Sequence, residues 1–157
     1  MLSSEIYDNL TLPNDAKSYL QGLDDYDDPY FICVKVNKDE KQATELLKEA
    51  LNSKAEIFYG VAAFAIDERL FLLAVDAETD AISDFSHELK TTFTDHGLIA
   101  HISVFHHNCL GEAMETFKWC TQLLEKVMKE SPDASAIGVN DFSGRENWPG
   151  IGEYQDQ

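Results

Sequence analysis

The chain predicts an α+β sandwich: a ferredoxin-like βαββαβ unit extended by a C-terminal helix and an edge strand. Three observations lead there. Between Asp28 and Asn108 the hydrophobic periodicity runs strand, helix, strand, strand, helix, strand. The two central strands meet at a charged turn, Asp67-Glu68, and the other connections are long enough to carry helices. Such connections return the chain to one sheet by right-handed crossovers and leave the hairpin strands antiparallel, with helices expected on one face.

Residues 1–29 read as an acidic leader, in which Asn14-Asp15 caps a short helix carrying Ala16, Tyr19, Leu20 and Leu23. The run Asp24-Asp25-Tyr26-Asp27-Asp28-Pro29 ends it, because clustered like charges resist burial and proline stops a helix. Residues 30–37 (YFICVKVN) form a β-rich strand. In residues 39–52, Ala43, Leu46, Leu47, Ala50 and Leu51 make one apolar stripe with Lys and Glu opposite. Residues 56–66 and 69–76 are the hairpin strands. A second amphipathic helix over 80–95 turns Ile82, Phe85, Leu89 and Phe93 inward, and Gly97 closes it. Residues 98–105 are a fourth strand. Residues 110–130 are a third helix striped with Ala113, Met114, Phe117, Cys120, Leu124 and Val127, ending before Ser131-Pro132. An edge strand follows at 136–139, then a Gly- and Pro-containing tail over 140–157. The folded domain is therefore expected over 30–139.

At 157 residues, with 44% hydrophobic residues and 17 aromatics, the chain is long enough for one domain with a substantial core. The net charge of −17 is concentrated at the ends, with seven acids against one lysine in residues 1–29 and six against one arginine in residues 130–157. That charge repels phosphates and anionic membranes, so nucleic acid and membrane are excluded as expected partners, while a basic protein is favoured. Cys33, Cys109 and Cys120 form an odd, widely spaced set, which fits reduced thiols in a cytoplasmic protein. The longest apolar runs, 61–66 and 70–75, are too short to span a bilayer.

At the hairpin the chain carries Ala65-Ile66-Asp67-Glu68-Arg69, followed by Leu70-Phe71-Leu72-Leu73, and a long helix ends near Lys129. In this respect residues 30–130 resemble the GGDEF domain, the diguanylate cyclase fold. The resemblance implies a turn whose two glycines admit a nucleotide, a carboxylate after them for metal and catalysis, and an Asp on the first strand. Asp67 and Glu68 match the acidic pair. Ala65 and Ile66 replace the glycines, and Val34-Lys35-Val36-Asn37 offers a Lys and an Asn where the Asp is needed. One acidic cluster does not hold two Mg²⁺ ions on a triphosphate. The resemblance thus implies the fold and a degenerate active site.

Other constellations are incomplete. His101 and His107 share a strand face but stand roughly 20 Å apart at about 3.3 Å per residue, and His106, His107 and Cys109 match no zinc spacing, so no metal is expected. No G-x-S-x-G or Gly-rich phosphate loop occurs. Cys33 lies in an apolar strand and Cys120 on a helix stripe, where thiols are inert. Trp119 and Leu123 widen the third helix's stripe beyond half its circumference, which makes that helix either a sandwiched core element or a partner surface. Trp148, among glycines, either docks back or anchors another protein.

The reading that follows is a non-catalytic interaction module without cofactor, binding a basic protein through Trp148, Trp119, Leu123, Asp24, Asp25, Asp27 and Asp28, with a homodimer as a further option. The alternative is a cyclase-like domain that binds nucleotide without turnover, through Asp67, Glu68, Arg69, Lys35, Lys38 and Lys129.

Overall fold

A computed structural model of the chain describes residues 14–23, 29–67, 69–107 and 113–140. The elements are α1 (Asn14–Gly22), β1 (Tyr30–Val36), α2 (Glu40–Ser53), β2 (Gly60–Asp67), β3 (Leu70–Asp76), α3 (Thr79–Asp95), β4 (Ala100–His106), α4 (Ala113–Glu130) and β5 (Ala136–Asn140). One five-stranded sheet has the order β2-β3-β1-β4-β5. Its first four strands pair antiparallel in the ferredoxin-like βαββαβ arrangement. β5 adds parallel to β4, which requires a crossover, and α4 supplies it.

Local chemistry fixes the helix ends. Asp39, in left-handed backbone at φ 55°, accepts a hydrogen bond from the Gln42 amide and caps α2. Gly97, at φ 80°, closes α3: its amide donates to the Thr94 carbonyl, and the Leu98 amide reaches back to Phe93. This pair of hydrogen bonds with a left-handed glycine is a Schellman motif. β2 begins at Gly60 rather than at residue 56. The Ile57 and Phe58 amides both donate to the Lys54 carbonyl, extending a helical turn that delivers Phe58 edge-on to Phe85 in the core.

The expectation of helices on one face is corrected. β1 is apolar on both sides of its pleat, so each face of the sheet needs a cover. On one face, Ile32, Val34, Val36, Leu73 and Val75 meet Leu46 and Leu47 of α2 and Phe85, Leu89 and Phe93 of α3. On the other, Phe31, Cys33, Leu72, Ala74 and Phe105 meet Phe117, Cys120, Leu123 and Leu124 of α4. Ala16 and Leu20 of α1, inside the stretch read as a leader, are buried in that second core. The molecule is a three-layer α/β/α sandwich.

Candidate functional site

The hairpin between β2 and β3 is the first place to look for chemistry. Its register slips between Ala65 and Asp67, and Arg69 turns the chain in left-handed backbone at φ 58°. The tip is stitched to the junction of β1 and α2. The Val36 amide donates to the Arg69 carbonyl at 3.1 Å, Arg69 Nε donates to the Val36 carbonyl at 3.2 Å, and the Arg69 amide donates to Glu40 Oε1 at 3.1 Å. A guanidinium and a carboxylate at the tip therefore hold the fold's own backbone. Ile66, at the second position of the resemblance, is buried in the core under α1 and α4.

Of the nucleotide candidates, the fold brings several to this end. Lys35 is half-buried on β1, opposite Leu70 on one side and His101 on the other. Lys38 is exposed in the loop before α2, and Lys129 is exposed in the last turn of α4. That helix end lies beside His101, whose Nε2 donates to the Ser131 carbonyl at 2.6 Å. The Asp67 side chain and Glu68 lie outside the described residues. Among the described residues, no group of three or more His, Cys, Asp or Glu is placed to hold a metal ion.

The histidines have structural neighbours. His107 shares a 2.8 Å hydrogen bond with Thr116 Oγ1 and stacks on Phe31, and His106 stacks on Tyr30. The thiols of Cys33 and Cys120 are buried and free. The Cys33 pKa is pushed well above its ordinary value, first by its hydrogen bond with Cys120 and then by burial. Such a thiol is a poor nucleophile.

Among the partner-binding candidates, Leu123 is corrected: it is 4% exposed, in the core between α4 and the sheet, because the broad stripe of α4 covers a whole sheet face. Trp119 is half-buried at the edge of that core, with Lys118 Nζ 5.7 Å from its ring centroid. Asp24, Asp25, Asp27, Asp28 and Trp148 lie outside the described residues.

Sequence reasoning missed a different surface. β2 is an edge of the sheet, and residues 57–66 contain no charge at all in a chain of net charge −17. Ile57, Tyr59 and Val61 are 50%, 69% and 48% exposed. Beneath the same strand, α1 and the sheet enclose a groove of about 490 Å³ lined by Tyr19, Gly22, Leu23, Gly60, Ala62 and Asp76, among others. The uncharged run was legible; that it forms an edge depended on strand order.

No protein-family model matches the chain, and no curated protein does. A solved structure does: a microbial GGDEF domain, described for a novel interaction mode with bis-(3′,5′)-cyclic di-GMP. The two are 10% identical, with a TM-score of 0.56, over 80% of this chain and 84% of that one. The likeness is one of fold, and it supports the fold that the resemblance implied. Among the described residues, no helix is long and apolar enough to cross a membrane.

Proposed function

We propose that this chain is a GGDEF-like domain with a degenerate cyclase site, acting in the cytoplasm by binding a protein and turning over no nucleotide. The observation that carries this reading is the commitment of the hairpin tip. Arg69 and Glu40, where a triphosphate would need free cations and metal ligands, are hydrogen-bonded to backbone. The acidic charge favours a basic partner, for which it would raise the on-rate more than the final affinity. The test is affinity capture at two salt concentrations beside calorimetry with GTP and Mg²⁺. A salt-sensitive partner without nucleotide affinity supports the reading, and its absence counts against it.

A second reading has a specific observation in its favour. The similar GGDEF structure is described with cyclic di-GMP, and Lys35, Lys38, Arg69 and Lys129 lie at one end of the present fold. On this reading the domain binds a guanine nucleotide without turnover. Micromolar affinity for GTP or cyclic di-GMP, lost on Lys35→Ala, would favour it over the first.

A further inference from the structure

Among the described residues β2 is paired on one side only, and alternate N–H and C=O groups of an edge strand point away from its neighbour. Folded proteins usually blunt such an edge with lysine, proline, a bulge or a covering element. Here residues 57–66 hold neither charge nor proline, and the register slip comes only at the far end. Val61 pairs with Val75 and so lies on the face covered elsewhere by α2 and α3, yet it is half-exposed. Gly60 pairs with Asp76, and Asp76 lines the groove toward the opposite face, a groove whose lining also includes Val61 at the edge. The strand's open edge thus has an apolar flank on one face and a groove with a carboxylate on the other.

Charge chooses the occupant. The Tyr59 hydroxyl donates to Glu78 at 3.1 Å, and its pKa is raised by that bond, by the Glu78 charge and, less, by Asp76. This end of β2 is acidic, and a second copy of a −17 chain would meet it with like charge. A basic strand would not.

We infer that β2 accepts an extended segment of a basic partner as an added strand, with apolar side chains over Tyr59 and Val61 and lysine or arginine side chains directed to the groove and Asp76. Strand addition takes affinity from main-chain hydrogen bonds and specificity from alternate side chains, which is the pattern this edge offers. The inference rests on the protein-binding reading above and names its surface and the chemistry of its partner.

The probe is the capped hexapeptide Val-Lys-Val-Lys-Val-Lys, titrated into the full chain and followed by amide NMR. Shifts confined to β2 and the residues around Asp76 are expected. Val61→Lys places a like charge on the edge at an exposed position, and should weaken binding by about tenfold or more without changing thermal stability. Asp76→Asn should weaken it about threefold, the scale of one exposed ion pair, and less at high salt. A peptide N-methylated at every residue keeps its charges but cannot pair along a strand, and should not bind. Equal binding by that peptide would reduce the contact to charge attraction and overturn the inference, as would shifts elsewhere or no binding. A dimer in sedimentation that Val61→Lys dissociates would give the edge to a second copy and overturn it too. If the peptide fails while a salt-sensitive protein partner persists, only this surface is lost. Micromolar nucleotide affinity without any protein partner would instead remove the reading beneath it.

Discussion

Replacing Arg69 separates a fold-holding role from a ligand-holding one. Its Nε donates to the Val36 carbonyl, and hydrogen bonds involving a charged group contribute about 1.5–3 kcal/mol when sheltered. Arg69 is only half-buried, so water replaces part of what is lost, and Arg69→Ala should cost about 1 kcal/mol. Alanine keeps the left-handed backbone at φ 58°, which costs a non-glycine residue roughly 1–2 kcal/mol. Arg69→Gly loses the same bond but sheds that strain, so it should stand about 1 kcal/mol above Arg69→Ala and near the parent chain. Urea unfolding of the three proteins, with their m-values compared, reads this order directly. Equal stability of all three would refute the claim that Arg69 pins the hairpin to β1. Unchanged stability with weakened GTP binding would place its guanidinium on a ligand instead.

Leu123→Ala should lose roughly 2–5 kcal/mol in chemical denaturation, as a buried leucine between α4 and the sheet; a near-neutral effect would return it to the surface. Gly138→Ala should cost about 1–3 kcal/mol, because a Cβ there would fall 2.4 Å from Val127 Cγ2. Paired with Val127→Ala, its cost should be less than additive, and strict additivity in melting experiments would show no clash. For Cys33 the folded pKa lies above the unfolded value. Its contribution is therefore full below about pH 8.5 and declines as pH rises, by up to about 1.4 kcal/mol per pH unit. Cys33→Ala should flatten the alkaline limb of a stability-versus-pH curve, and an unchanged limb would disprove the link.

The helices and strands were legible because their periodicities are strong. The α2 stripe through Ala43, Leu46 and Leu47 is buried, and Gly97 ends α3 with the positive φ that its position suggested. The start of β2 was misplaced because residues 54–57 carry no breaker, and the turn there is set by Phe58 reaching Phe85. The hairpin acids stood out in the sequence. The use of Arg69 and Glu40 did not, since their partners lie 33 and 29 residues away.

By itself the sequence determined the element order, and with it the antiparallel four-stranded sheet, because hydrophobic period and connection length act locally along the chain. It also determined the net charge of −17, from which the proposal of a basic partner starts. The tertiary structure decided which surfaces remain. A broad stripe on α4 reads alike as core or as interface until a second apolar face of β1 is found beneath it. An uncharged run over 57–66 reads alike as a central or an edge strand until the order of the described strands puts it at one end of the sheet. Both choices depend on contacts between residues far apart in sequence, and periodicity carries no record of them.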